Sequence, residues 1–339
     1  MIFSILFWRL ILRLPKTEYI KALSINEVIA NLAEADSKAK ILAGGTDLLV
    51  NMKHRLEMPE ILIGIKSIPE LSSLSKENGM LKIGSAFTLS NLLKKEEIKN
   101  DYPILYDSIK SLASMHIRNT ATIGGNICLN TRCWYYNQPK LWRDGRELCH
   151  KTGGTVCHAI KKSGRCYAIN SSDTAPVMIA LDAEFTLTSK EGERKVKATD
   201  FFKDNGKSHI DIANDELLTS ITIPSQREEK TLTYFHKISS RRGIDFGYGN
   251  VAISLKGEKN KGYSEAKIVI GAMTSAPVLL KKAASIIAES GITKKSIEEA
   301  SNIAATELGT LTNLFTSAGY KRKLASALVK KALEALSEK

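Results

Sequence analysis

Two short glycine loops constrain the fold of this 339-residue chain more than any other feature. The first, Gly44-Gly45-Thr46-Asp47, follows the apolar run 40–43 and precedes a renewed apolar pattern at 48–52. The second, Thr122-Ile123-Gly124-Gly125-Asn126, comes about eighty residues later. Glycine permits positive φ and close backbone approach, so successive N–H groups can converge on anionic oxygens. Two such loops favour a phosphate-bearing cofactor.

Neither loop is diagnostic alone, because a single Gly-Gly pair is most often just a turn. Neither matches the G-x-G-x-x-G dinucleotide pattern or the P-loop, which lowers the expectation of NAD or ATP. The polar residues beside the glycines can bind ribose, pyrophosphate or ring edges, and their alternative role is to cap the local turns. These residues are Asp47, Thr122, Asn126 and Asp173.

The pattern of apolar residues predicts an α+β protein. Ser24-Ile25-Asn26-Glu27 is a capping box before an amphipathic helix that ends near Asp36. Strands are predicted at 61–65, 80–83, 184–189, 217–223, 232–238, 251–255 and 268–270, and helices at 48–52, 89–93, 102–115, 175–180 and 279–339 with a break at Gly291. No regular βαβ alternation or long repeat is present, so the helical end is expected to pack on an antiparallel sheet. A composition shift at 228–231 predicts a larger domain, 15–228, and a smaller one, 229–339.

Charge and termini exclude some classes of function. The chain carries 49 Lys+Arg against 36 Asp+Glu, but the lysines are scattered among glutamates without a basic helix or an RNA-binding signature. Nucleic-acid binding is therefore not expected. Residues 1–14 form an apolar run broken by Arg9 and Arg13, too short to span a membrane and without the charge order of a secretory signal. We treat them as an N-terminal extension of unknown role.

The cysteines indicate a cytoplasmic, reducing compartment and a metal site. Their number is odd, and a chain of this length needs no disulfides for stability. Four of the five lie within 34 residues, with 15, 7 and 8 residues between them, at Cys133, Cys149, Cys157 and Cys166. Shared thiolate ligation explains the crowding, because soft sulfur ligands select zinc or iron–sulfur clusters. Spacing alone leaves open a [4Fe–4S] centre, a structural zinc with His150 or His158 replacing a cysteine, and unligated packed thiols.

The remaining features of this window are less specific. Cys128, in the apolar context Ile127-Cys128-Leu129, is expected to be a packed thiol outside the site. Aromatic residues near the first ligand could exclude water from a cluster or simply anchor a loop; they are Trp134, Tyr135, Tyr136 and Trp142. No Ser-His-Asp pattern, catalytic carboxylate pair or H-E-x-x-H motif stands out, so we expect no catalytic residues here and an electron carrier instead.

Three motifs carry a family resemblance. Segments 43–49 (AGGTDLL), 117–126 (IRNTATIGGN) and 172–176 (SDTAP) resemble, in order and spacing, the FAD-binding medium subunit of the molybdenum hydroxylases. This is the family of xanthine dehydrogenase and carbon monoxide dehydrogenase. The resemblance runs from about Leu14 to the C-terminus and includes Phe235-His236-Lys237. It implies a two-part, PCMH-type FAD-binding domain and a smaller C-terminal domain of the CO dehydrogenase flavoprotein type.

The resemblance also implies contacts with FAD. Backbone amides of the first loop would bind the pyrophosphate together with the second loop, Asp173 would face ribityl or ribose hydroxyls, and Lys237 would lie near the flavin ring. The implied cofactor-binding residues are Ala43, Gly44, Gly45, Thr46, Asp47, Ala121, Thr122, Ile123, Gly124, Gly125, Asn126, Asp173 and Lys237.

The segment 127–170 departs from most members of the family, which lack an insertion of this length. Its four cysteines, and the run 131–138 (TRCWYYNQ) in particular, resemble the β subunit of 4-hydroxybenzoyl-CoA reductases, where such a loop holds an additional [4Fe–4S] cluster. The resemblance thus assigns Cys133, Cys149, Cys157 and Cys166 to a [4Fe–4S] cluster and leaves Cys128 unassigned.

A redox relay is the implied function. A ferredoxin-like donor would reduce the cluster, which exchanges electrons with FAD. The electrons would then pass to a [2Fe–2S] small subunit and on to a molybdenum-cofactor large subunit, where an aromatic CoA thioester is dehydroxylated. The three subunits would form a dimer of heterotrimers. The alternative is an FAD subunit of another molybdenum hydroxylase, acting oxidatively on aromatic, aldehyde or purine substrates with an accessory cluster. A third hypothesis is a structural zinc on a non-catalytic binding module.

Overall fold

The computed structural model describes residues 13–226, 230–241, 244–258, 262–309 and 316–338. Most of the N-terminal extension and the predicted boundary at 228/229 lie outside these residues. The strands are β1 (Glu18–Lys21), β2 (Ala39–Leu42), β3 (Ile61–Gly64), β4 (Leu74–Glu77), β5 (Met80–Gly84), β6 (Glu184–Ser189), β7 (Gly192–Lys197), β8 (Leu217–Ile223), β9 (Thr231–Ile238), β10 (Gly249–Glu258), β11 (Gly262–Gly271) and β12 (Val278–Leu279). The helices are α1 (Ile25–Ala35), α2 (Leu48–Lys53), α3 (Leu89–Leu93), α4 (Glu96–Asp101), α5 (Pro103–Ser111), α6 (Met115–Thr120), α7 (Ile123–Ile127), α8 (Lys140–Asp144), α9 (Ala175–Ala180), α10 (Ala198–Phe201), α11 (Lys281–Ser290), α12 (Lys294–Glu307) and α13 (Ala318–Ser337).

The first sheet has the order β1-β3-β2 and is parallel. Ser24 caps α1 by accepting a hydrogen bond from the Glu27 N–H at 3.2 Å, and the Glu27 carboxylate accepts from the Leu23 N–H at 2.8 Å. Helix α1 buries Val28 and Leu32. The parallel pairing of this sheet was not predicted; α1 and α2 are crossovers between strands that have just four residues each.

The second sheet has the order β4-β5-β8-β6-β7 and is antiparallel. Its core includes Phe185 and Phe201, whose rings meet edge to face at a centroid distance of 4.8 Å. The predicted buried helix α9 is confirmed, with all six residues buried. The helix predicted over 102–115 was too long: α5 ends at Ser111, Ala113 adopts a φ of 44°, and Ser114 caps the separate helix α6.

The third sheet, β12-β11-β10-β9, is antiparallel and packs against α11, α12 and α13. The predicted break is confirmed, since Gly291 at a φ of 64° ends α11 and Thr293 caps α12. Among the described residues, no helix combines the length and the apolar character needed to cross a bilayer.

Candidate functional site

A cavity of about 820 Å³ lies between the first sheet, the second glycine loop and the C-terminal domain. We call it the cleft. Its wall includes both glycine loops, the segment 207–218, and Lys237 of β9. Its volume lies in the upper part of the range typical of small-molecule sites, so it can accept a large ligand.

The first glycine loop presents open backbone donors to the cleft. Gly45 has a φ of 70°, and its carbonyl accepts from the Leu49 N–H at 3.1 Å, which starts α2. Within the described part of the chain, the amides from Gly44 to Asp47 donate no hydrogen bond. These N–H groups precede a short helix and line a cavity, an arrangement that suits an anionic ligand.

The second loop is built differently, because its amides already have partners. The Gly124 N–H donates to Ser85 O at 2.9 Å, and the Gly125 N–H donates to Thr122 Oγ1 at 3.1 Å. The Asn126 N–H donates to Thr122 O at 3.0 Å. Thr122 therefore caps the turn of the second loop. The second loop forms part of the cleft wall, whereas the first loop has free N–H donors.

The two loops touch through glycine. A Cβ placed on Gly44 would lie 2.5 Å from Thr120 O and 2.7 Å from Ala121 Cα, both backbone atoms. A side chain here would therefore push the loops apart. The absence of a Cβ lets the first loop sit directly against the second at the wall of the cleft.

Asp173 and Lys237 form a buried ion pair at the cleft. The Lys237 Nζ lies 2.6 Å from Asp173 Oδ2, and the Asn250 side-chain amide donates to Oδ1 at 3.0 Å. Burial raises the pKa of the Asp173 carboxyl, and the Lys237 charge and hydrogen bond oppose that rise. Sequence reasoning placed these residues on separate parts of FAD, whereas here they bind each other.

Arg132 connects the insertion to the cleft. Its guanidinium pairs with Asp47 at 2.5 Å and stacks over the Phe246 ring at 4.3 Å from the centroid. Its backbone exchanges two 2.8 Å hydrogen bonds with Ile169, which close the base of the insertion. The insertion is thereby fixed relative to the first glycine loop.

The four clustered cysteines line one small pocket, separate from the cleft. We call it the cysteine pocket, lined by Cys133, Cys149, Cys157 and Cys166 together with Tyr135, Tyr136, Lys151 and Tyr167. Burial raises the pKa of the Cys133 and Cys166 thiols, and neighbouring cysteines raise both further. Tertiary packing has therefore gathered four sulfur donors from a span of 34 residues.

The two histidines beside these cysteines are already engaged. The His150 Nε2 donates to Ser163 O at 2.9 Å, and the His158 Nε2 donates to Glu147 O at 2.8 Å. In the described ranges, no group of three or more His, Cys, Asp or Glu side chains stands close enough for a single metal ion. Because their imidazoles already bond to backbone carbonyls, His150 and His158 are poorly placed to replace a cysteine as a zinc ligand.

Two family descriptions match the chain. Residues 15–226 match the FAD binding domain in molybdopterin dehydrogenase, and residues 234–336 match the CO dehydrogenase flavoprotein C-terminal domain. The chain belongs to the FAD-binding medium subunits of the molybdenum hydroxylase family.

Individual relatives agree with this assignment of the FAD-binding subunit. The carbon monoxide dehydrogenase medium chain of Hydrogenophaga pseudoflava is 27% identical over 95% of this chain and 97% of that protein. The xanthine dehydrogenase FAD-binding subunit of Escherichia coli O157:H7 is 24% identical over 93% and 94%. The solved carbon monoxide dehydrogenase structure from H. pseudoflava superposes with a TM-score of 0.79 at 25% identity, covering 96% of this chain and 99% of that one.

In this FAD-binding subunit, nearly all the predicted cofactor residues line the cleft. The exception is Ile123, which is fully buried in the core and does not line the cleft. That the predicted residues contact FAD stays a prediction, as does ligation by the four cysteines. Cys128 lies in the cleft wall, and burial raises the pKa of its thiol to about 12, as suits an unreactive packed group.

Sequence reasoning missed several residues of the FAD-binding subunit's two sites. His209 lies in the cleft wall, where burial lowers the pKa of its imidazole to about 4, with the Lys151 charge adding to the effect. Gly206 packs on the cysteine pocket, since a Cβ there would lie 2.8 Å from Cys166 Sγ. These residues come from a segment about forty residues past the insertion, and no local motif marks them.

The family implies FAD, and the cleft suits it; the iron–sulfur cluster is implied only by the resemblance of the insertion. Open amides at a glycine loop and a large cavity suit the pyrophosphate and the length of FAD. Four thiols that converge on one pocket, without a carboxylate among them, are the donor set of an iron–sulfur cluster.

Proposed function

We propose that this chain is the electron-transfer subunit of a molybdenum hydroxylase-type complex, with FAD in the cleft and a [4Fe–4S] cluster in the cysteine pocket. The gathering of four cysteines into one pocket beside the cleft carries the proposal. Its domains are 15–228 for FAD and cluster and 229–339 for the C-terminal part. Its partners are a molybdenum-cofactor large subunit and a [2Fe–2S] small subunit, in the cytoplasm.

The first glycine loop would hold the FAD pyrophosphate through its open amides, while the second loop supports it. The Asp173–Lys237 pair forms the wall where the two domains meet and would fix the position of the C-terminal sheet against the cofactor. When bound, FAD supplies one- and two-electron chemistry and the cluster supplies one-electron chemistry. The chain's own work is to keep the two centres at a fixed separation.

The insertion would hold the cluster and shield it. Tyr135 and Tyr136 line the cysteine pocket, and Trp134 and Trp142 pack edge to face outside it with centroids 5.1 Å apart. Arg146 covers Trp142 at 4.4 Å. Water exclusion by such a layer is one way in which a protein tunes a cluster's reduction potential.

The catalytic direction of the complex has two candidates. The relatives named above, a carbon monoxide dehydrogenase and a xanthine dehydrogenase, support an oxidative hydroxylase. In that candidate the proposed cluster would be an accessory electron outlet. The four-cysteine insertion favours a second candidate, a 4-hydroxybenzoyl-CoA reductase-like complex fed by a low-potential, ferredoxin-like donor. Between residues 127 and 170 there are eight Lys/Arg and two Asp/Glu, a balance that suits an acidic donor protein.

The experiment is anaerobic purification of the complex, with iron, zinc and flavin quantified and EPR spectra recorded before and after dithionite. We expect FAD, no zinc, and a reducible cluster assigned to this subunit. Zinc without flavin would overturn the proposal, and FAD without iron in this subunit would remove its cluster half.

The same preparation separates the two directions. Dehydroxylation of 4-hydroxybenzoyl-CoA with a reduced low-potential donor would establish the reductive candidate. Failure of that reaction, together with substrate hydroxylation coupled to an artificial electron acceptor, would establish the oxidative one.

A further inference from the structure

Lys151 places a partly buried ammonium between the cysteine pocket and the cleft. Its Nζ donates to Asn130 Oδ1 at 2.8 Å, Thr131 O at 2.9 Å and Gly206 O at 2.9 Å, and it also contacts Thr131 Oγ1. The side chain lines the cysteine pocket, and its partner Asn130 lines the cleft.

The charge of Lys151 has no carboxylate partner. All the acceptors just named are neutral oxygens, and the described residues include no ion pair to this lysine. The Glu57 carboxylate reaches this lysine only through Asn130, whose side chain donates to Glu57 Oε1 at 3.1 Å. A partly buried cation with no directly bonded anion is stabilised by negative charge placed close to it.

The cysteine pocket, which Lys151 lines, is where we place this negative charge, in the form of the proposed cluster and its four thiolate ligands. Four thiolates outweigh the positive charge of an iron–sulfur core, and one-electron reduction makes the bound group more negative still. A fixed cation at this wall stabilises the reduced form more than the oxidised form. It therefore raises the reduction potential.

We infer that Lys151 is a positioning residue that sets the reduction potential of the cluster, and that its hydrogen bonds to Asn130 and Thr131 hold this charge on the side of the pocket facing the flavin cleft. The inference rests on the proposed function, since it requires a cluster in the cysteine pocket. Asn130 in turn donates to Glu57 Oε1 at 3.1 Å, which continues the network along the cleft wall.

The test is an anaerobic, EPR-monitored redox titration of the cluster in the purified complex. The variants are Lys151→Gln and Lys151→Met, which remove the charge, and Lys151→Arg, which keeps it. Lys161→Met is the matched control, because Lys161 is an exposed lysine of the same insertion outside the cysteine pocket.

We expect both neutral variants to lower the midpoint reduction potential of the cluster by at least about 59 mV, which corresponds to a tenfold change in the equilibrium constant of a one-electron reduction. Lys151→Arg and Lys161→Met should stay near the wild type. Gln can still hydrogen-bond to the oxygen acceptors, so a shift common to Gln and Met reports charge and not packing. A midpoint unchanged in both neutral variants would overturn the inference.

Loss of the cluster is informative as well. Iron retained in Lys151→Arg but lost in both neutral variants would support the charge requirement. Iron lost in all three would show that the side chain acts only by packing and would overturn the inference. Wild-type complex without a reducible cluster in this subunit would instead refute the proposed function, which keeps the two failures distinct.

Discussion

Lys237 Nζ lies 2.6 Å from Asp173 Oδ2, and these side chains are only 7% and 5% exposed. Asp173 precedes α9 in the FAD-binding domain, whereas Lys237 belongs to β9 of the C-terminal sheet. The pair therefore ties the two domains together at the wall of the cleft. In a low-dielectric site, each charge depends on the other for stabilisation.

Asp173→Asn should destabilise the folded chain by about 3–5 kcal/mol, because it leaves the Lys237 ammonium buried without a counter-ion. The additional change Lys237→Met should restore part of the loss, since no unmatched charge remains. Urea-induced unfolding of the purified chain measures both. Glu60→Gln is the control, as it breaks the exposed Lys38–Glu60 pair and should cost at most about 1 kcal/mol. Similar losses in Asp173→Asn and Glu60→Gln would contradict the buried-pair interpretation.

Gly44→Ala should lower FAD occupancy severalfold, because the new Cβ would meet the backbone at Thr120 and Ala121 and displace the first glycine loop. Flavin content per chain after gel filtration measures the effect. Gly164→Ala is the matched control, since a Cβ there meets no atom within 4 Å. Wild-type flavin content in Gly44→Ala would argue against a pyrophosphate site at this loop.

Cys149→Ser should abolish the cluster and spare FAD, because Cys149 lines the cysteine pocket but not the cleft. Iron and flavin analysis of the anaerobically purified protein measures both. Cys128→Ser should keep its iron, since Cys128 lies in the cleft wall and outside the cysteine pocket. Equal iron loss in these two variants would mean that general damage, and not ligand removal, explains the result.

His209 should make the stability of the subunit fall as the pH is lowered from about 6.5 to about 4. Over this range the unfolded imidazole is protonated while the folded one stays neutral, so the unfolded state binds more protons. The contribution is on the order of 3 kcal/mol. Melting temperatures of wild type and His209→Gln across this range measure it, and the variant should show the flatter profile. Parallel profiles would refute the burial of a neutral imidazole.

Local patterns predicted most elements of the structure correctly. The capping residues at Ser24, the apolar strands β6 and β8 and the helix α9 follow from short-range spacing. Strand β7 was missed because five of its six residues are exposed and most are charged, as is common on an edge strand. The parallel pairing of β1, β2 and β3 was missed because four-residue strands carry too little pattern to indicate direction.

The sequence by itself determined the family, the two glycine loops and the presence of four closely spaced cysteines, because these depend on residue identity and order. The tertiary structure alone decided which loop leaves its amides open, that Asp173 pairs with Lys237, and that Lys151 lies between the cysteine pocket and the cleft. Each of these depends on hydrogen-bond partners and burial supplied by segments distant in sequence. The type of a residue determines which hydrogen bonds and ion pairs it can form. Only the packed structure shows whether those groups already have partners within the protein.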